Sequence, residues 1–145
     1  MEIDGLLLPL SKGHWQNSTL AIETFNMRLE TLLKYCATFP HATQEVKWGN
    51  NLTCCVHTKM FAVFVLDEKN RPIRLGFKAD PDRFLELTDR EGFVPAPYLA
   101  RAKWVAVVED KALSDAEAKA LLRNAHVLIV RKLPKYLQQE IASAK

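Results

Sequence analysis

The run Met60-Phe61-Ala62-Val63-Phe64-Val65-Leu66 is the longest uninterrupted apolar stretch in the chain, and it constrains the fold more than any other feature. It falls far short of the roughly 20 residues a membrane-spanning helix needs. Successive strand side chains point to opposite faces, so a strand apolar on both must be covered on both and belongs at the centre of a sheet. Neighbouring segments supply partners. Gln44 to Trp48 and Leu52 to His57 read as a hairpin joined at Gly49-Asn50-Asn51, residues that tolerate positive φ. Thr58-Lys59 turns the chain into the apolar run. After the polar turn Asp67 to Pro72, Ile73, Leu75 and Phe77 alternate with Arg74, Gly76 and Lys78, the period of a half-buried strand with one basic face.

Helices are expected around this meander. Asn26 is placed to cap a helix whose apolar stripe is Leu29, Leu32, Leu33 and Cys36, and Pro40 ends it. Asp80-Pro81 marks a helix start, with Phe84 and Leu87 as its buried stripe. Gly92, Pro95 and Pro97 make residues 89–99 a loop, and Lys103 to Val108 reads as the last strand. Ser114 to Glu117 has capping-box spacing, in which the serine takes a free amide and the glutamate returns to the cap. A helix to about Asn124 follows, then a second piece from His126 to Leu133, a break at Pro134 and a basic tail, Lys135-Tyr136-Leu137. The order predicts an α+β domain, an antiparallel sheet packed by helices.

With 145 residues, 48% of them apolar and 26% charged, one domain is expected. Residues 1–26 carry Lys12 against Glu2, Asp4 and Glu23, a net −2, which leaves +5 of the total +3 on residues 27–145. The first 26 residues read as an N-terminal extension, a dispensable one or an overcalled start if Met27 begins the domain, or a real arm if Leu6 to Leu10 and Trp15 pack on it. The acidic first residues and the Pro-broken Leu6 to Leu10 do not make a secretory signal, so a cytoplasmic location is expected. Cys36, Cys54 and Cys55 lack any C-x-x-C and read as buried free thiols. His14, His41, His57 and His126 lie in separate segments, and their spacing predicts no zinc, no other metal and no cofactor.

Five segments, in order, carry a resemblance: Leu32 to Cys36 with Phe39-Pro40, Lys59 to Ala62, Leu75 to Pro81, Tyr98 to Trp104, and Leu128 to Lys135. Together they resemble the MmcQ/YjbR family of small bacterial proteins over roughly residues 27–140. The resemblance implies a frataxin-like, YjbR/CyaY-like double-wing fold and the family's usual label, DNA-binding protein. Where the family commonly has His-x-Asn-Lys-x-His-Trp, this chain reads Tyr98-Leu99-Ala100-Arg101-Ala102-Lys103-Trp104. Lysine in place of the second histidine raises the positive charge at neutral pH, which suits anion binding better than acid–base catalysis.

Phosphate recognition needs spaced cations. The candidates are Lys59 at a turn, Arg74 and Lys78 on one strand face, Arg101 and Lys103 beside Trp104, which could stack a base, and Arg131, Lys132 and Lys135 near the end. An ordinary solvated face is the alternative, with Lys78 simply paired to Asp82 and Trp104 in the core. No nucleophile elbow, phosphate loop or metalloprotease motif is present, so no catalytic residue is assigned and the protein is expected not to be an enzyme. Cys55 and His57, sharing a strand face, are the one pair that could be drawn as nucleophile and base. The sequence therefore leads to a DNA partner, with a protein-interaction module as the alternative and no membrane partner. Convergence of Arg74, Lys78, Arg101 and Lys103 would favour the first, and an exposed apolar area the second.

Overall fold

The computed structural model describes residues 18–96, 99–109 and 113–143. Helix α1 (Ser18–Ala37) leads into strands β1 (Ala42–Lys47), β2 (Asn51–Val56), β3 (Lys59–Leu66) and β4 (Pro72–Lys78). A short helix α2 (Phe84–Thr88) precedes β5 (Phe93–Pro95) and β6 (Trp104–Val107), and helices α3 (Asp115–Val130) and α4 (Lys135–Ser143) close the chain. The strands form one antiparallel sheet in the order β1-β2-β3-β4-β6-β5. The fold is α+β, and the apolar run is an interior strand.

One face of the sheet carries the core. Leu29, Leu32 and Cys36 of α1 and Leu121, Leu122 and Ala125 of α3 pack on Phe64, Leu75, Phe77, Val105 and Val107. The alternation expected in β4 holds from Arg74 to Phe77, with Leu75 and Phe77 fully buried in this core, but Ile73 is only half-buried and Lys78 is buried too, so the strand has no open basic face at that end. A bulge refines it: Cys54 pairs with Ala62 but Cys55 with Met60, so Phe61 is the extra residue and turns into the same core as Ala62. Among the described residues the opposite face carries a smaller cluster, Val63, Ala96, Trp104 and Ala106, with Met60 and Leu99 against it, and their cover of that face of β3 is partial.

Several sequence expectations change. Asn26 is not a cap; α1 starts at Ser18, and Asn26 is buried within it, its amide donating to the Pro72 carbonyl at 2.6 Å. The expected boundary at residue 26 thus falls inside a helix. Residues 1–17, including Leu6 to Leu10 and Trp15, lie outside the described residues. The segment read as a loop contains β5, because Phe93 to Pro95 find partners on β6; an edge strand tolerates the proline. In the first hairpin the left-handed residues are Trp48 and Gly49, and His57 and Thr58 are both left-handed in the next turn.

Local capping signals behave as their chemistry demands. The Asp80 side chain accepts from the Asp82 amide at 3.0 Å, opening a 3-10 turn that runs into α2. Ser114 accepts from the Glu117 amide at 3.1 Å. Glu117 does not return to the cap, because Arg90 takes it in a bidentate pair at 2.5 and 3.0 Å. The expected break near Asn124 is absent, since Ala125, His126 and Ile129 continue the buried stripe of α3. The basic tail is helical, with Ile141 in the core. None of the described helices is long and apolar enough to cross a membrane.

Candidate nucleic-acid interface

Strand direction decides which cations can meet. Lys59 begins β3, Lys78 ends the adjacent antiparallel β4, and Lys103 immediately precedes β6, whose Trp104 pairs with Lys78. All three therefore lie at one end of the sheet. Lys132 follows α3 at that end, close enough that its charge, together with that of Lys103, lowers the Lys78 pKa after the larger effect of burial. Lys78 is buried and donates to the Ala102 carbonyl. It is not paired with Asp82: the salt bridges among the described residues join Arg28, Arg71, Arg83 and Arg90 to carboxylates and include none of these lysines.

Lys103 takes a left-handed conformation, φ 64°, and its ammonium lies 5.1 Å from the centroid of Phe84, a cation–π contact. Arg101 is exposed in the 3-10 turn Ala100–Ala102 just before it. Arg131 and Lys135 are exposed on either side of Lys132, at the junction of α3 and α4. Of the predicted cations, Lys103 and Lys132 come within electrostatic range of Lys78, and Arg101, Arg131 and Lys135 are their near neighbours along the chain. Arg74 lies farther along β4, paired with Val65, and joins a different feature.

That feature is a groove of about 500 Å³ on the partly covered face of the sheet. Trp48, Val63, Val65, Arg74, Leu99 and Trp104 line it. Gly76 keeps its floor low; a Cβ there would face the Val105 carbonyl at 3.7 Å, an ordinary contact. Trp104 is 4% exposed, packed with Val63 and Ala106, whereas Trp48 is 68% exposed on the hairpin tip. Sequence reasoning passed over Trp48, and its neighbour Gly49 was the available signal that a turn would present it.

The cysteines sit apart from these features. Burial pushes the Cys55 thiol pKa up, and its sulfur turns toward the Thr53 hydroxyl at 3.9 Å. His57 instead approaches His41, its Nε2 lying 3.3 Å from Nδ1. Cys55 and His57 are not arranged as nucleophile and base. Cys36 and Cys54 are buried free thiols that interact with each other in the core, where burial contributes to the raised Cys36 pKa after its interaction with Cys54. His126 is also buried, which lowers its pKa, and its Nε2 is 3.0 Å from the Pro40 carbonyl oxygen.

An antiparallel sheet with helices on one face, an apolar groove on the other and lysines at one end defines a small α+β domain. The YjbR family model matches residues 37–128, and the chain belongs to the YjbR family. A Deinococcus radiodurans protein described as carrying the DUF419 domain has a similar structure, with a TM-score of 0.68, 24% identity, and coverage of 79% of this chain and 87% of that one. A Pseudomonas syringae protein superposes with a TM-score of 0.54 and 14% identity, covering 66% and 93% respectively. Both likenesses concern the fold. No curated protein matches the chain.

Proposed function

We propose that this YjbR-family protein is a non-enzymatic, cytoplasmic DNA-binding protein that holds backbone phosphates with the lysines at one end of its sheet. The observation that carries the reading is that Lys103 and Lys132 both lie in electrostatic range of Lys78, with no carboxylate pairing any of the three among the described residues. Like charges brought together are unfavourable, and a polyanion relieves that repulsion by replacing several cations' counterions at once. Buried Lys78, fixed on the Ala102 carbonyl, serves as a placed charge, while exposed Arg101, Arg131, Lys132 and Lys135 reach outward to neighbouring phosphates. Lys59 widens the track at the start of β3. Sequence-independent contacts of this kind position a duplex and do not read bases.

Fluorescence anisotropy of a labelled random duplex and a single strand, titrated with the full chain from about 50 to 200 mM salt, tests the reading. Saturable binding that weakens steeply with salt is expected, and absence of binding at the lowest salt would refute it. A second reading, a protein-interaction module, is favoured by the apolar groove beneath exposed Trp48. In that case groove substitutions, and not lysine substitutions, control partner binding.

A further inference from the structure

Beside the proposed phosphate track, and independent of it, the fold assembles three side chains whose types and separation suit a metal. In the first hairpin Lys47 pairs with Asn51 and Ala42 with Val56, so His41 and His57 are the next opposed pair beyond the end of the ladder. Helix α4 brings Glu140 to the same place, and the ligand atoms of His41, His57 and Glu140 all lie within 4.8 Å of one another. His41 Nδ1 and His57 Nε2 are 3.3 Å apart. Two imidazole nitrogens bound at about 2.0–2.1 Å to one tetrahedral ion are separated by roughly 3.3 Å. An ordinary hydrogen bond closes further, to about 2.9–3.0 Å.

We propose that His41, His57 and Glu140 bind a divalent transition-metal ion of the zinc type. Two imidazoles and a carboxylate are a borderline donor set, suited to zinc and its neighbours and poorly suited to calcium or magnesium, which take oxygen ligands. The remaining coordination position is open to water, because His41 and Glu140 are exposed and His57 is half-buried. The surroundings hold the two rings in place. Both histidines take left-handed backbone, φ 60° and 48°, and His126 anchors the Pro40 carbonyl immediately before His41. The ion would tie together the α1–β1 connection, the β2–β3 turn and α4, so its structural effect is to clamp the last helix to the sheet.

The test is calorimetric titration of tag-free, chelator-stripped full chain with zinc chloride, repeated with cobalt to read the donor set. One saturable site per chain is expected, with a cobalt spectrum that lacks a sulfur-to-metal charge-transfer band. His57→Asn, which keeps a residue tolerant of left-handed backbone, should weaken binding by about ten-fold or more, and Glu140→Gln should also weaken it by about ten-fold. Cys55→Ser should leave affinity unchanged. Zinc should slow amide hydrogen exchange in α4 of the parent chain and not in a folded His41→Asn/His57→Asn variant. No saturable binding, a thiolate cobalt spectrum, or affinity unchanged by Glu140→Gln together with His57→Asn overturns the proposal.

Discussion

Replacing Lys103 and Lys132 together by alanine changes the salt dependence of DNA binding in a way that can be worked out beforehand. Each duplex phosphate contact contributes about 0.9 to the slope of log affinity against log salt. If Lys78, Lys103 and Lys132 each meet one phosphate, the trio supplies a slope of about 2.7, or about 40-fold in affinity between 50 and 200 mM salt. The double substitution removes about 1.8 of that slope, equivalent to about 12-fold over the same interval. Folding should be nearly untouched, because Lys132 is exposed and Lys103 loses chiefly its contact with Phe84, worth about 0.5–1 kcal/mol. Anisotropy titrations at four salt concentrations, with thermal unfolding as the control, measure both. A variant that binds more weakly at every salt with an unchanged slope would show that these lysines do not neutralise phosphates, and the reasoning would fail.

Three further outcomes follow from the structure. Glu117 has its pKa lowered, first by its hydrogen bonds to Arg90, so the pair contributes stability that is present above the unfolded carboxylate pKa and lost as pH falls through the lower folded value; in urea unfolding below about pH 5, Glu117→Gln should show less acid destabilisation than the parent, with a cost at neutral pH under about 1 kcal/mol because the pair is partly exposed. Gly76→Ala should stabilise the fold by about 0.4–1 kcal/mol in the same assay, since its Cβ would meet nothing closer than 3.7 Å, and a loss of stability would show that the groove floor is tighter than described. Trp48→Gly should raise stability by about 1 kcal/mol by relieving a left-handed non-glycine residue, φ 51°, and should leave the salt slope of DNA binding unchanged.

What the sequence reveals and what it conceals divide along the range of the interaction. The central position of Met60 to Leu66, the alternation of Leu75 and Phe77 with Arg74 and Gly76, and the caps at Asp80 and Ser114 are written in residues a few positions apart, and they are found in place. Asn26 is ambiguous in the sequence because a good capping residue is also a good buried donor, and only the arrival of Pro72, 46 positions away, decides between them. Phe93 to Pro95 become a strand only because β6 lies alongside.

The site candidates follow the same division. Lys78 and Lys103 belong to one structural unit through the β4–β6 pairing, but no local pattern announces that Lys132 joins them from the end of α3. Arg74 shares a face with Lys78 as strand spacing requires, yet the groove claims it. The spacing of the histidines along the chain predicts no metal, and it does not show which of them meet in space. Their opposition was readable in principle, since a hairpin that pairs Lys47 with Asn51 also sets His41 against His57. The contribution of α4 was not readable, because placing Glu140 requires the packing of Ile141 into the core.

The central claim, that a polyanion docks on the lysine end of the sheet, is tested most directly by nuclear magnetic resonance titration of isotope-labelled full chain with a short duplex. The account predicts that shifts concentrate on Lys78, Ala79, Arg101 to Trp104 and Arg131 to Lys135, and fade as salt rises. Shifts confined to Trp48, Val63, Val65 and the other groove residues, or no shifts at low salt, would contradict it.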